Sequence, residues 1–348
     1  MKKTVSLNHI LRCLGSLSLV VGLGSAPIVA NAADQCKDVK WRAQHYVPTA
    51  SSSWDGDLIK IRDMIEKRTE GRVKIEPFPA GALFSANQIF DAVSRNVIEM
   101  GQVVYDYVQS QLSSAVILPA LPFTWKDTWE AQYFYKYMGY EDLIAEEAAK
   151  KGVFWITNKL YPAELVSTKP IESLADFESL KVRSSGNLEQ FLTKTGASAT
   201  YVPGNEIYMA LSSGVVDAAH WGAAQGALTN KLYESAKYHY TPTLSISADA
   251  TIINQKALDS LCAQDREAIK AYLEEHFWAR TNQYIYLERL ALGQGQSEYD
   301  VQLRTFPDDV VKRMNEVAKE MRDEAAKQNP ISAKAADLVD EMHKKLNY

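Results

Sequence analysis

The sequence predicts an α/β protein of two lobes, with a ligand cleft between them and one long helix spanning both. Three observations carry that expectation. Short apolar strand segments alternate with helical periodicity from residue 39 onward, which implies mostly parallel sheets covered by helices. The alternation restarts after residue 150. The stretch 265–292 lacks proline and glycine and is rich in helix formers.

Residues 1–32 precede this pattern and read as an export signal. Lys2, Lys3 and Arg12 form a basic start, Leu14 to Val29 is uncharged and apolar or small, and Ala30-Asn31-Ala32 offers small residues for cleavage. The apolar run is short for a membrane span. Removing those three basic residues from 38 leaves 35 against 43 acidic ones, a mature net charge of −8 with histidine neutral. Such a surface argues against nucleic acid and anionic membranes as partners. An anion would have to be held by a local positive cluster. Two cysteines survive processing, Cys36 and Cys262, and the sequence leaves open whether they are bonded or free thiols. Neither belongs to a CxxC pair, so no cysteine zinc site is expected.

Val39 to Tyr46 reads as the first strand, and Ala50 to Ser53 supplies a helix N-cap region. Leu58, Ile61 and Ile65 give the helix face that follows, ended by Glu70-Gly71-Arg72. Val73-Lys74-Ile75 is a strand, Pro77 to Gly81 a turn, and Ile89, Ala92 and Val93 a short helix face. Ile98 to Val104 is the third strand, and Leu118 to Phe123 an apolar loop. Helices are expected over Lys126–Met138 and Tyr140–Lys150, then strands over Val153–Lys159 and Leu180–Val182. Helices near Leu188–Thr195 and Glu206–Ser212 flank a strand at Ser198–Val202. Pro307 opens a late helix whose buried stripe is Val310, Met314, Val317 and Met321. The implied organisation is a signal at 1–32, a first lobe at 33–152, and a second lobe at 153–254 with strands crossing back. Helices, including the spanning one, fill 255–348.

The sequence holds no GxSxG, HExxH, GxGxxG or P-loop pattern, and its six histidines are scattered. No enzyme is expected, and no cofactor. Two segments stand out instead. In Leu180-Lys181-Val182-Arg183-Ser184-Ser185-Gly186-Asn187 an apolar strand ends in arginine, and a Gly-Asn turn opens a helix. The carboxyl edge of a parallel strand faces the ligand crevice, so Arg183 can present its guanidinium fork to a carboxylate. The alternative is an arginine paired with a structural acid. In Gly214 to Gly226, a short apolar run leads to His220-Trp221 and a small-residue stretch. Trp221 could form an apolar wall, and His220 could donate to an anion or titrate near neutral pH. The alternative for both is ordinary core packing.

In this order, these segments resemble the substrate-binding subunits of tripartite ATP-independent periplasmic (TRAP) transporters. Gly71 to Ile75 followed by Pro79 to Leu83 is similar to that family's early strand and turn. Phe90 to Val93, Glu99 to Gly101, Leu118 to Phe123, Lys169-Pro170-Ile171 and Ser235 to Tyr238 match in sequence order. The resemblance implies a two-lobed α/β periplasmic binding protein that closes on a small organic anion and serves TRAP membrane permease subunits. It places Arg183 on the family's carboxylate-binding arginine. The surroundings of Trp221 look most like the branch that binds keto acids and other monocarboxylates, often as homodimers and sometimes through a metal ion. The chain departs from that branch in carrying His220 where an acid is typical. Tyr161 to Glu164 also lacks the usual glutamine, leaving Glu164 as a substitute. Direct contact by His220 is therefore expected in place of a metal-bridged ligand. Tyr208 and Asn187 complete the second-lobe wall, and Tyr105, Tyr107 and the Ser51–Trp54 turn close from the first lobe. The rival reading is an exported enzyme or sensory binding protein acting on small organic acids. N-terminal sequencing of the exported form is expected to begin at Ala33; a mature protein retaining residues 1–32 would refute the cleavage assignment.

Overall fold

In the computed structural model, which describes residues 35–116 and 121–347, one nine-stranded sheet runs through both lobes. The expected export signal and Leu118 to Ala120 of the apolar loop lie outside the described residues. The strands are β1 (Val39–Gln44), β2 (Val73–Phe78), β3 (Met100–Val104), β4 (Val153–Ser167), β5 (Lys181–Ser184), β6 (Ser198–Tyr201), β7 (Ala218–His220), β8 (Tyr238–Asn254) and β9 (Gln302–Thr305). They lie in the order β2-β1-β3-β8-β4-β7-β5-β6, with β9 on the start of β8.

Within each lobe the pairing is parallel: β1 with β2 and β3, and β5 with β6 and β7. The two parallel sets are joined by β4 and β8, an antiparallel pair. β3 pairs with the last residues of β8, whereas β7 pairs with the last residues of β4, so each crossing strand serves one lobe with each half. The expected strand at Val153–Lys159 is less than half of β4. It continues because the register shifts at Thr157/Lys159 and Ala163/Leu165, which lets one strand bend from one lobe into the other. Leu160, at the first irregularity, donates its N–H to Thr281 Oγ1 at 3.1 Å, so the broken ladder is satisfied by a neighbouring helix. Pro77 falls inside β2, where a turn was expected; β2 is an edge strand, and an edge tolerates the missing N–H.

The helices are α1 (Lys60–Arg68), α2 (Ile89–Ser94), α3 (Thr128–Tyr137), α4 (Tyr140–Ala149), α5 (Leu174–Glu178), α6 (Gly186–Thr195), α7 (Ile207–Ser212), α8 (Ala224–Thr229), α9 (Gln255–Asp259), α10 (Ala263–Glu298), α11 (Asp308–Ala325) and α12 (Pro330–Leu346). The long helix exceeds expectation at 36 residues, roughly 54 Å at 1.5 Å per residue. It runs through Gly293 and Gly295, and the second of these has a packing reason. A Cβ there would meet the Tyr233 ring at 2.8 Å, so glycine lets the helix lie against that aromatic. The stripe of α11 is as expected, with Val310, Met314, Val317 and Met321 all buried.

Cys36 and Cys262 are bonded to each other, which resolves the alternative left open by the sequence. The bond joins the segment before β1 to the start of α10. Nearby, Arg72 grips Asp265 through Nε at 3.0 Å and Nη2 at 2.7 Å. Closing a loop across a separation of 226 residues removes much denatured-state freedom. Replacing both cysteines by serine is expected to lower unfolding free energy by about 2–5 kcal/mol. Denaturant titration would read the loss, and an unchanged midpoint would show that the bond adds nothing.

Candidate functional site

The carboxyl ends of four strands, two from each of the two opposed parallel sets, converge on one cavity between the lobes, as expected for ligand sites in α/β sheets. Tyr46 follows β1, and Asp106 and Tyr107 follow β3. Arg183 and Ser185 lie at the end of β5, and His220 and Trp221 at the end of β7. Ser51 and Ser53 come from the turn before α1, Thr229 and Asn230 from the end of α8, and Tyr284 from α10. Lys159, Tyr161 and Ser247 of the crossing strands form the floor. The space between them is about 50 Å³. At roughly 10–15 Å³ per water, that is room for about four waters or one compact acid. Outside it lies a larger vestibule of about 880 Å³, and Tyr46, Asp106, Tyr107 and Trp221 border both spaces.

Arg183 is fully buried. Its Nε donates to the Val202 carbonyl at 2.8 Å, and Nη1 to the His220 carbonyl at 2.7 Å. Among the described residues Nη2 has no partner in hydrogen-bond geometry, although the Tyr107 hydroxyl is near enough to favour the charged guanidinium, and no carboxylate pairs with it. The alternative of a structural acid is thereby removed. Burial lowers the arginine's pKa, with nearby Tyr107 and Tyr201 opposing the shift, and arginine remains positive at any ordinary pH. The guanidinium also lies 5.0 Å from the centre of the Trp221 ring, on its face. Two of the fork's five donors are thus committed to backbone, and the side chain holds its own strand-end loops as well as facing the cavity.

Trp221 owes its position to two glycines. A Cβ on Gly204 would lie 2.3 Å from the indole, and one on Gly226 would lie 1.9 Å from the Trp221 carbonyl. This explains the small-residue stretch that the sequence showed without a reason. His220 lines the cavity with Nδ1 at 2.8 Å from Ser184 Oγ. Burial and the neighbouring Arg183 push its pKa down to about 3. It is therefore a neutral donor or acceptor, and titration near neutral pH is corrected.

Other expectations are also corrected. Tyr105 is core: its hydroxyl bonds Thr157 Oγ1 at 2.9 Å and receives Trp155 Nε1 at 3.1 Å. Its neighbour Tyr107 lines the cavity instead, because the 3₁₀ turn after β3 points alternate side chains apart. Tyr208 lies outside the cavity, donating to Glu234 at 2.8 Å. Asn187 is buried on α6 and does not line the cavity. Glu164 does not reach it either. One oxygen meets His239 Nε2 at 2.6 Å and the other accepts from Thr243 at 2.7 Å.

The floor is a buried charge network that the sequence did not single out. Lys159 Nζ donates to Asp57 at 2.6 Å and to Asp249. Arg280 Nε reaches the other Asp57 oxygen at 2.6 Å. Tyr46 and Tyr161 donate to the second Asp249 oxygen at 2.7 and 2.9 Å. Burial alone would raise the pKa of Asp57, but Lys159, Arg280 and His45 outweigh it and hold it well below the carboxylate range. The available signal was a lysine inside the apolar run of β4.

A family model described as bacterial extracellular solute-binding protein, family 7, matches residues 44–329, and the chain belongs to that family. The chain is 27% identical to a monocarboxylate 2-oxoacid-binding periplasmic protein of Nostoc sp. over 270 residues, 73% of this chain and 71% of the relative. Among solved structures, the fold is similar to a TRAP periplasmic solute-binding protein of Pseudoalteromonas atlantica with bound sodium and pyruvate. The TM-score is 0.82, at 24% identity, covering 89% of this chain and 95% of the other. It is also similar to a TRAP solute-binding protein of Bordetella bronchiseptica, a mixed-occupancy dimer with calcium and picolinate. There the TM-score is 0.81, at 20% identity, covering 89% and 93%.

Removing Lys159 would leave Asp57 and Asp249 facing each other across the floor without it. Lys159→Met is expected to destabilise the protein by about 3–5 kcal/mol, the cost of breaking a buried pair from one side. The midpoint of chemical unfolding reads this directly, and a shift below about 1 kcal/mol would show that the network is not structurally required.

Proposed function

We propose that this protein captures a small monocarboxylate of the 2-oxo acid type in the periplasm and passes it to TRAP permease subunits. The observation that carries this reading is Arg183, a buried cation with no acidic partner among the described residues, whose Nη2 is left without a hydrogen-bond acceptor beside the cavity. A buried charge without a counter-charge is costly, and an anionic ligand would supply it. Lys159 also lines the cavity, but Asp57 and Asp249 already match its charge, so it adds little attraction for a second carboxylate. One free cation and a small chamber favour a compact monoanion over a dicarboxylate. The name of the Nostoc relative and the pyruvate in the Pseudoalteromonas structure support the same class.

The location follows the family's extracellular character, with residues 1–32 proposed as the cleaved signal. The lobe limits at 33–152 and 153–254, with the tail from 255, are part of the same reading. So is a homodimer, for which the Bordetella structure is a precedent. The cation accompanying the ligand in the two solved structures has a poor fit here. Among the described residues Asp106 is the single acidic side chain lining the chamber. Among the described residues the one cluster with metal-ligand spacing is Cys36, Cys262 and Asp265, where the sulfurs are bonded to each other.

Calorimetric titration with pyruvate, 2-oxobutyrate, pyroglutamate, malonate and succinate tests the reading. The monocarboxylates are expected to bind and the dicarboxylates to bind more weakly. Arg183→Ala and Arg183→Lys are each expected to weaken binding by about 2–5 kcal/mol, roughly 30- to several-thousand-fold. Arg183→Ala is also expected to lower stability, because two buried carbonyls lose their donor. Wild-type affinity in a folded Arg183→Ala protein would overturn the anion-clamp reading.

A further inference from the structure

Asp106 enters the chamber from the first lobe and faces the same space as Arg183. Its carboxyl rests against the backbone of Gly186 at the start of α6: a Cβ on that glycine would lie 2.9 Å from Asp106 Cγ. Gly186 has φ +57°, and both the conformation and the close approach exclude a larger residue. The carboxyl therefore bridges the gap between the lobes. Its one hydrogen bond among the described residues is from the Gln109 side chain to Oδ1, at 3.3 Å. It forms no ion pair there, although Arg183 shares its cavity. A cation and an acid that face one chamber without pairing leave room between them for a third group.

The charges facing Asp106 come from several elements. Arg183 on β5 favours its ionised form, and Asp249 on β8 opposes it. Tyr107 beside it and Tyr135 on α3 are the neighbouring titratable hydroxyls, both held neutral by burial. Burial dominates and raises the Asp106 pKa to about 7. A ligand carboxylate on Arg183 would bring another negative charge into the chamber and neutralise the one cation that favours ionised Asp106. Both effects push the proton onto Asp106. A protonated carboxyl can then donate a hydrogen bond to a ligand oxygen, whereas an ionised one can only repel it.

We propose that Asp106 is the specificity-determining acid of the chamber, and that an organic acid binds as its monoanion together with one proton taken from solvent onto Asp106. The inference rests on the carboxylate reading above. On release of the ligand the proton returns to solvent. The acid also selects for a ligand with an acceptor oxygen beside its carboxylate, as in a 2-oxo acid.

The test is calorimetry with pyruvate, 2-oxobutyrate and pyroglutamate, from pH 5.5 to 8.5, in two buffers of different ionisation enthalpy. Sodium-free medium with a chelator isolates the proton from metal ions. Affinity is expected to be flat below pH 6 and to fall as pH rises through 7. The loss by pH 8.5 is up to about thirty-fold if the bound-state pKa lies above that range. Proton uptake is expected to approach one per ligand at the alkaline end. Asp106→Asn keeps an amide donor but cannot titrate, so uptake and pH dependence should both vanish while binding persists. His220 is no rival source of the linkage in this window, since it is held neutral. Affinity independent of pH, with no proton uptake by the wild-type protein, would overturn the proposal. So would the same linkage in Asp106→Asn, or binding lost on removal of sodium and calcium. If none of the acids binds at any pH, the carboxylate reading falls first and the proton linkage with it.

Discussion

The structure depends on one buried ammonium. Lys159 sits where β4 breaks register, and its Nζ is held between Asp57 and Asp249. Those two acids belong to different parts of the fold: Asp57 leads into α1, and Asp249 lies on β8. Arg280 adds α10 to the same knot. The bend that lets two strands serve two lobes is thus fixed by charge as well as by backbone pairing. An ionic core of this kind need not be more stable than an apolar one. Its directional bonds do specify one arrangement of strand, helix and turn, and the floor of the cavity is the surface of that arrangement.

The contrast between the two buried cations explains the chemistry of the cavity. The charge of Lys159 is balanced by two carboxylates, with Tyr46 and Tyr161 completing Asp249. Arg183 has only neutral partners, two carbonyls and the faces of aromatic rings. A carbonyl satisfies a donor without cancelling its charge. The field in the chamber is therefore positive at one wall and balanced at the floor. Such a field orients a small anion and does not depend on the acidic surface outside.

Much of the fold was legible in the sequence, because periodicity reports burial of a local face. The α/β alternation, the spanning helix and the stripe of α11 are all local patterns. Arg183 and Trp221, which both line the cavity, were legible for a related reason: each ends a short strand, and strand ends face the crevice. What escaped was set by distant pairing. β4 runs past Lys159 because β8, some ninety residues later, continues alongside it, and nothing near Lys159 reports that partner. Asp106 was passed over between two tyrosines, and of those Tyr105 is core while Tyr107 lines the cavity. Which of three adjacent residues faces inward depends on the turn after β3, and spacing alone does not encode it. Glu164 was carried by resemblance and Tyr208 was placed behind Trp221 and His220; their hydrogen bonds turn both away from the cavity.

The glycines behind Trp221 restrict how this cavity can be redesigned. Gly204 and Gly226 leave no room for a methyl group: a side chain at Gly204 would displace the indole, and one at Gly226 the Trp221 backbone carbonyl. The second-lobe wall is therefore nearly closed to variation by single substitutions. The opposite side is built from turns, at Ser51, Ser53 and Tyr107, which belong to no strand. Libraries aimed at new ligands should draw their diversity from that side and keep the tryptophan wall as a fixed template.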